Sequence, residues 1–235
     1  MQTNRNGLKD IWNSFMVAGA AFTPLTDMPI TTCISKSIPV KLISYTNAKT
    51  KYNKEIKANP HFKEDAFIHF YIDDYKFDGY INGIWANPYT LLELTKHFSG
   101  LISPDFSTYA DFPDPLKRYN TYRMRCFDYW FTNNNIPIIH NIRWGTPETW
   151  KYCFDGIPSK SIISIGTVAS ELKSYQYNNI FCDGLHEAIK RINPLAIVVY
   201  GSVNQPVFEY IKSLGIQIVS FQSETALAFE RRRLN

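Results

Sequence analysis

The sequence lacks the short motifs that assign many enzymes to a class. No G-x-G-x-x-G and no G-x-x-x-x-G-K follows any apolar run, so the glycine-rich phosphate loops of dinucleotide- and triphosphate-binding enzymes are missing. Neither G-x-S-x-G nor H-E-x-x-H occurs, and the histidines do not have the spacing of metal ligands. These absences argue against Rossmann-type enzymes, serine hydrolases and zinc proteases.

Cysteine is scarce and dispersed. The four cysteines are Cys33, Cys126, Cys153 and Cys182, and no two of them form a C-x-x-C pair. Zinc knuckles and iron–sulfur clusters use cysteines at short spacings, so neither is expected and no metal ligand is assigned. We expect reduced cysteines that lie in the core and bind no metal.

Long apolar runs are also missing. A membrane-spanning helix needs about 20 consecutive apolar residues, and the sequence contains no such stretch. The first 27 residues do not read as a secretory signal, because Asp10, Asn13 and Thr23 interrupt the apolar positions. We therefore expect a soluble, cytoplasmic protein without a membrane partner.

Charge of either sign is not concentrated. The chain has 25 Lys and Arg against 21 Asp and Glu, a net charge of +4, which permits an anionic ligand without requiring one. The dense basic run, Arg231 to Arg233, is more typical of a solvated helix end than of a phosphate clamp. Composition alone therefore does not predict a nucleic-acid partner.

Short apolar runs rich in Ile, Val, Tyr and Phe recur along the 235 residues. Most are followed by a segment of helical spacing and a turn signal, the pattern of β-α units around a parallel sheet. We predict one α/β domain over residues 1–235, with 1–38 as an irregular segment packed on it. The seven predicted strands are Val40–Tyr45, Phe67–Asp73, Gly100–Phe106, Ile136–Trp144, Ser161–Val168, Leu195–Val203 and Ile216–Phe221.

Helices are predicted between these strands. An open nucleotide-binding sheet would have a glycine-rich turn after its first strand, and the sequence has none. A barrel-like (β/α) fold of about seven parallel strands is therefore preferred, as a complete, incomplete or distorted TIM-type barrel. One further strand could come from the N-terminal region or be missing. Neither the first 38 residues nor the segment from Lys49 to Lys63 has a periodicity clear enough to decide. The predicted helices are 87–98, 115–133, 147–154, 183–192 and 205–214.

Polar side chains stand at the carboxyl ends of three predicted strands. Period two places Asp73, Asp105 and Arg143 at the rim, where the chemistry of β/α barrels resides. We predict that these three form a catalytic group, in which Arg143 lowers the pKa of a nearby carboxylate. Each alone is more often structural, since Asp73 and Asp105 could cap turns and Arg143 could neutralise a buried carboxylate.

Further polar groups are predicted to bind substrate around that rim. Ser107 shares a face with Asp105, and Asn141 shares one with Arg143. The fifth and sixth strands finish in Gly166-Thr167 and Tyr200-Gly201-Ser202, where glycine permits a ligand to approach the backbone closely. Asn120 and Arg123 lie near the start of the helix that follows Asp105. That helix interleaves arginine with aromatic residues, which suits stacking on single-stranded nucleic acid, but its helical spacing favours a core face.

Six motifs stand out along the chain: SPDFSTYADFP, NTYRMR, NIRWG, FDGIP, SIGTVAS and VVYGS. Together they resemble a family named domain of unknown function four-four-one-seven, found mostly in bacteriophages and bacterial mobile elements. The resemblance covers about Phe67 to Phe221 and implies a genomic setting without a mechanism. The resemblance draws attention to the residues that lie inside these motifs, and it adds Trp144 as a further substrate-binding candidate. The residues are Asp105, Asn120, Arg123, Asn141, Arg143 and Trp144.

Two functional classes remain open. The first is a phage-type hydrolase or transferase acting on a phosphorylated, nucleotide or nucleic-acid substrate, with Asp105 or Asp73 as nucleophile or base and Arg143 and Arg123 holding an anionic group. The second is a non-catalytic protein that sequesters a nucleotide or binds a host protein. The cofactor is unknown, although carboxylates at Asp73 and Asp105 would suit Mg²⁺. Two carboxylates facing one pocket would favour the enzyme.

Overall fold

Seven parallel strands form one sheet, in the order in which they occur along the chain. The computed structural model describes residues 10–32, 35, 37–168, 172 and 174–234. The strands are β1 (Leu42–Ser44), β2 (Glu64–His69), β3 (Phe98–Ile102), β4 (Ile138–Asn141), β5 (Ile162–Gly166), β6 (Ala196–Tyr200) and β7 (Gln217–Phe221).

A helix follows each strand, as expected where parallel neighbours must be joined by crossovers. The helices are α1 (Tyr45–Glu55), α2 (Pro88–Thr95), α3 (Asp114–Asn133), α4 (Trp150–Cys153), α5 (Tyr175–Ile192), α6 (Pro206–Ser213) and α7 (Glu224–Leu234), with 3-10 turns at Ser14–Val17, Asp74–Lys76 and Pro147–Thr149.

The sheet curls into a half-barrel, which confirms the prediction of about seven parallel strands in an incomplete barrel. Within the described residues, β1 and β7 are the edges and do not pair with each other. The side-chain amide of Asn47 in α1 donates to Glu224 Oε1 in α7 at 2.8 Å, which links the helices that follow the two edge strands.

The central strands β3 to β6 are buried on both faces, which explains their continuous apolar sequences, whereas no residue of the edge strand β7 is buried. Every residue of β6 is buried, and Val198, Ile102 and Ile139 lie in one cluster with other inward-facing strand residues. The outward face, with residues such as Ile163 and Ile197, packs against the helices.

The N-terminal segment contributes to the core despite its irregular backbone. Met16 and Met28 are fully buried, and Thr31 N donates to the carbonyl oxygen of Gly156 at 2.9 Å. Within residues 10–32, an isolated antiparallel bridge pairs Phe22 with Pro29, and no strand of the sheet comes from this segment.

α1 and α5 differ most from the sequence-based predictions, and α7 is not among the predicted helices. α1 covers residues in which no periodicity was evident, because its surface is largely polar and only Tyr45 and Ala48 are buried. α5 begins at Tyr175, eight residues before the predicted start at Asp183. In both cases tertiary packing stabilises a helix that the sequence pattern signals weakly.

Like β3, which ends at Ile102 and not at Phe106, β2 ends four residues before its predicted carboxyl end. It ends at His69, because the backbone turns there and Tyr71 N donates to His69 Nδ1 at 3.2 Å. Ile72 N then donates to the carbonyl oxygen of Phe70 at 2.7 Å. The period-two rule therefore fails beyond His69, and Asp73 does not continue the strand.

Aromatic rings fill the centre of the half-barrel at its carboxyl end. Tyr200 stacks on Tyr71 with ring centroids 5.0 Å apart, and it lies 4.4 Å from the ring of His69. Burial lowers the pKa of His69 to about 3, so its imidazole is neutral at physiological pH. A ligand site at this rim must lie to one side of these rings.

A buried ion pair joins α3 to the strands beneath it. Arg125 Nη1 donates to Asp128 Oδ2 at 2.9 Å, and both side chains are fully buried. Ser103 donates its hydroxyl to the same carboxylate, and His140 Nδ1 lies 3.3 Å from Asp128 Oδ2. Burial favours the neutral acid, but His140, Arg125 and Ser103 together outweigh it and lower the pKa of Asp128.

Two of the predicted core cysteines are deeply buried. Cys126 and Cys153 are free thiols, and burial raises the pKa of each to about 12. Cys182 is also free but only partly buried. Cys33 lies outside the described residues. High pKa values make the two buried thiols poor nucleophiles at neutral pH.

Replacing Asp128 with Asn should lower the free energy of unfolding by about 3–5 kcal/mol, because Arg125 would keep a buried charge without its counter-ion. Urea denaturation at pH 7 measures this loss. Glu209→Gln is the matched control, since the Glu209–Lys212 pair has the same sequence spacing as Asp128–Arg125 but is exposed. Equally small effects of the two substitutions would contradict the assignment.

The stability difference between the wild type and Asp128→Asn should narrow in acid. A carboxyl whose folded-state pKa is depressed contributes stability above its unfolded-state pKa and loses it as the pH falls through the folded-state value. Since the pKa of Asp128 is lowered, the difference should shrink below about pH 4. Denaturant titrations from pH 7 to pH 3 measure it, and a constant difference would count against this linkage.

Candidate functional site

Asp105 and Arg143 meet at the carboxyl ends of β3 and β4. Arg143 Nη1 donates to Asp105 Oδ2 at 2.6 Å. The Asp105 side chain is 6% exposed, whereas that of Arg143 is 27% exposed. Both residues lie in loops just beyond their strands, so the pair ties two neighbouring loops together.

Asn141, the last residue of β4, holds the other oxygen of the same carboxylate. Its Nδ2 donates to Asp105 Oδ1 at 2.6 Å, and its Oδ1 accepts a hydrogen bond from the Tyr71 hydroxyl at 2.9 Å. That hydroxyl lies 2.7 Å from Ser164 Oγ in β5. A chain of hydrogen bonds thus runs from inside the half-barrel to Arg143.

The electrostatics of the pair depend chiefly on burial. Burial raises the pKa of Asp105, and the opposing effects of Arg143 and Asn141 do not fully cancel it; the charge of Asp74 raises it further. The pKa of Asp105 is therefore raised, whereas the sequence analysis predicted that Arg143 would lower it. Burial disfavours the charged form of Arg143, but Asp105 more than compensates and the pKa of Arg143 is raised.

Asp73 lies apart from this pair. Its side chain is 63% exposed, and its Oδ2 forms an ion pair with Lys76 Nζ at 2.8 Å. The next residue, Asp74, takes the inward place: its carboxylate accepts hydrogen bonds from Ser107 N and Ser107 Oγ at 3.1 and 2.8 Å. Ser107 is therefore engaged in holding the β2 loop against the β3 loop.

Asn120 and Arg123 support these loops from α3. Asn120 Nδ2 donates to the carbonyl oxygen of Ser107 at 2.5 Å. Arg123 donates to Asn120 Oδ1 at 2.6 Å and to Asp78 Oδ2 at 2.7 Å, with its guanidinium 3.8 Å from the ring centroid of Phe106. Both side chains are buried, so they position the backbone around Asp105.

The remaining predicted binding residues occupy three settings. Trp144 donates from Nε1 to the carbonyl oxygen of Ile180 at 3.1 Å and packs over Gly184, where an added Cβ would lie 2.1 Å from that nitrogen. Tyr200 is buried in the half-barrel, and its hydroxyl accepts from Glu224 N. Ser202 is exposed, and its hydroxyl accepts from Asn204 N at 3.3 Å.

A cavity of about 320 Å³ opens beside the Asp105–Arg143 pair, displaced from the filled centre of the half-barrel. We call it the rim cavity. Of the predicted site residues, Arg143 and Trp144 line it. Its lining comprises Thr108–Phe112, Ile142–Gly145, Ile165–Gly166 and Tyr177, Ile180 and Phe181 of α5.

Thr108 adds a polar group that the folded chain leaves unsatisfied. The residue is 3% exposed, and its hydroxyl has no hydrogen-bond partner among the described residues. Most buried hydroxyl groups in proteins have a partner, so an exception beside a cavity suggests a site for a polar ligand or an ordered water.

The residues present do not fit a magnesium site made from Asp73 and Asp105. Asp73 pairs with Lys76, and each oxygen of Asp105 already accepts a hydrogen bond from a side chain. Within the described ranges, no three His, Cys, Asp or Glu side chains are grouped as metal ligands would be.

Apart from Trp144, sequence reasoning missed the aromatic walls of the rim cavity. Tyr109 and Phe112 lie in the loop after β3, inside a motif that drew attention for its carboxylate and hydroxyl. Tyr177, Ile180 and Phe181 lie in the part of α5 that was not predicted as helix. The i, i+3, i+4 spacing of these last three was a usable signal for one helix face.

Fold and site together define the chain as an incomplete β/α barrel with an aromatic, arginine-containing cavity on its carboxyl-end rim. The chain belongs to the family described as "Domain of unknown function (DUF4417)", which matches residues 25–222. This is the family that its motifs resemble.

Two bacteriophage proteins are similar to it. One is the Gene 1 protein of Mycobacterium phage L5, 33% identical over 142 residues, which cover 60% of this chain and 59% of that protein. The other is the Gene 1 protein of Mycobacterium phage D29, 32% identical over 136 residues, covering 57% and 48%. The chain thus spans about half to three fifths of these curated relatives.

No solved structure matches the chain. In the part of the chain that the structure describes, no helix combines the length and apolar character needed to cross a membrane.

Asp105→Asn should lower the free energy of unfolding by about 1.5–3 kcal/mol, because it removes a hydrogen bond between charged groups behind the cavity wall. Asp73→Asn is the control, since it makes the same chemical change at an exposed position on the same rim and should leave stability unchanged. Guanidinium chloride denaturation measures both. An equal effect at the two positions would show that the Asp105–Arg143 pair does not secure these loops.

Proposed function

We propose that this protein binds a nucleotide by inserting the base into the rim cavity, and that it recognises or sequesters the nucleotide without reacting with it. The observation that carries the proposal is the combination, in one cavity of about 320 Å³, of aromatic walls with the partly exposed guanidinium of Arg143. This volume is near the lower end for small-molecule pockets and suits one mononucleotide.

The aromatic walls supply the affinity. Tyr109, Phe112, Trp144, Tyr177 and Phe181 come from three separate elements and surround the same space. Flat rings stack on nucleobases with favourable free energy whatever the sequence of the nucleic acid, because every base has a π face. Trp144 is fixed by its hydrogen bond to Ile180, so at least one wall is preorganised.

The charges around the cavity favour contacts with the base over contacts with phosphate. Arg143 is neutralised by Asp105, and Lys117, which is buried, donates to the carbonyl oxygen of Ala110 at 3.2 Å. Asp111 adds a carboxylate to the cavity lining. With little net positive charge, the cavity offers hydrogen bonds and stacking without the strong field that captures free phosphate.

Geometry supports the hydrolase or transferase alternative less well. A nucleophile or general base must reach the reacting atom, but Asp105 lies behind Arg143, does not line the cavity and has both oxygens engaged. Asp73 is on another part of the rim. Binding of a host protein has no surface among the described residues that supports it as directly as the cavity supports a small ligand.

Tyr177→Ala should weaken nucleotide binding by about 5- to 150-fold, the usual effect of removing one stacking ring. Tyr175→Ala is the matched control, because Tyr175 lies two residues away in α5, is 84% exposed and does not line the cavity. Isothermal titration calorimetry with a panel of nucleosides and nucleoside monophosphates measures the affinity of each variant.

A nucleoside and its monophosphate should bind within a few-fold of each other, and inorganic phosphate should not compete. Absence of binding by every nucleoside and nucleotide would refute the proposed function, as would equal effects of the two tyrosine substitutions. Turnover of a bound nucleotide that is lost in Asp105→Asn would instead support the enzyme.

A further inference from the structure

We infer that the rim cavity is selective for guanine, with Arg143 and Asp111 as the two residues that read the base. This inference rests on the proposed function, because it names the base that the same cavity accepts. It follows from the donors and acceptors that the two side chains offer, and neither residue's role depends on a metal or on catalysis.

Arg143 supplies the donors. Its Nη1 is bonded to Asp105, which fixes the guanidinium plane and leaves the N–H groups of Nε and Nη2 for a ligand. The side chain is 27% exposed and lines the cavity. A guanidinium held in this way matches two adjacent acceptors, and guanine presents such a pair in O6 and N7.

Asp111 supplies the acceptors. It lies in the loop after β3, is exposed and lines the same cavity. No described residue forms a hydrogen bond or ion pair with its carboxylate. An ionised carboxylate can only accept, so it suits the N1–H and N2 amino donors of guanine. Adenine offers Arg143 only N7, because an amino group replaces O6.

The two residues therefore demand a base that has adjacent acceptors on one edge and adjacent donors on the next. Guanine satisfies both demands. Adenine and uracil have no two adjacent acceptors, so either base would turn an N–H group towards Arg143. Cytosine has the adjacent acceptors N3 and O2, but it offers Asp111 only the N4 amino group. A mismatch of this kind costs more than the loss of an apolar contact, because the protein group is left unpaired when the base excludes water.

The test is calorimetric titration of the full chain with guanosine, inosine, 7-deazaguanosine and adenosine. Inosine lacks the N2 amino group that Asp111 would accept from, and 7-deazaguanosine lacks the N7 acceptor for Arg143. Guanosine should bind at least about tenfold more tightly than each of the other three. Equal affinity for all four nucleosides would overturn the guanine assignment while leaving the proposed function intact.

Asp111→Asn assigns the second contact. It should weaken guanosine binding and reduce the preference for guanosine over inosine towards one, since the N2 amino group would lose its charged acceptor. Glu148→Gln is the control, because Glu148 is an exposed acidic residue beyond β4 that does not line the cavity. The preference of this variant for guanosine over inosine should equal that of the wild type. An unchanged preference in Asp111→Asn would remove Asp111 from the site.

The titrations also separate the two proposals from each other. If no nucleoside binds, the proposed function fails and the guanine inference fails with it. If adenosine binds as tightly as guanosine and Tyr177→Ala weakens both, the cavity binds bases through stacking alone and only the guanine inference is overturned.

Discussion

The hydrogen-bonded ion pair between Asp105 and Arg143 is the interaction on which the rim depends. It joins the loops that follow β3 and β4, and Asn141 extends it through Tyr71 to Ser164. Because Asp105 is buried, its carboxylate is costly to leave unpaired, and the pair therefore constrains where Arg143 can point. A guanidinium with a fixed orientation is useful for recognition, since less conformational entropy is lost on binding.

The position of the cavity follows from the filled interior of the half-barrel. Tyr71, Tyr200 and His69 stack at the carboxyl end of the strands, where a ligand would lie in a barrel with an open mouth. Gly166 allows this packing, since an added Cβ would lie 2.9 Å from the ring of Tyr71. The ring of Tyr71, and not a ligand, therefore makes the close approach that Gly166 permits. The cavity is displaced towards α5.

The sequence predicted the parallel order of the seven strands from their apolar runs. It predicted the meeting of Asp105 with Arg143 from the shared edge at which parallel strands end, although both residues lie beyond their strands. It failed at Asp73, since the turn after His69 depends on a side-chain hydrogen bond that no period reports. It also failed at the start of α5, whose stability comes from packing of Phe181 and Leu185. Tyr177, Ile180 and Phe181 of the cavity lining lie in this first part of α5, whereas Tyr109 and Phe112 lie in the loop after β3. No local pattern reports that this loop and α5 meet, so the cavity could not be assembled from sequence alone.

Titration of isotope-labelled protein with guanosine, followed by amide chemical-shift mapping, tests the central claim most directly. Base binding in the rim cavity predicts that the largest shifts cluster in three segments: 108–112, 142–145 and the first turns of α5. Shifts that concentrate at α7 or are scattered over the surface, or no shifts at saturating guanosine, would contradict it.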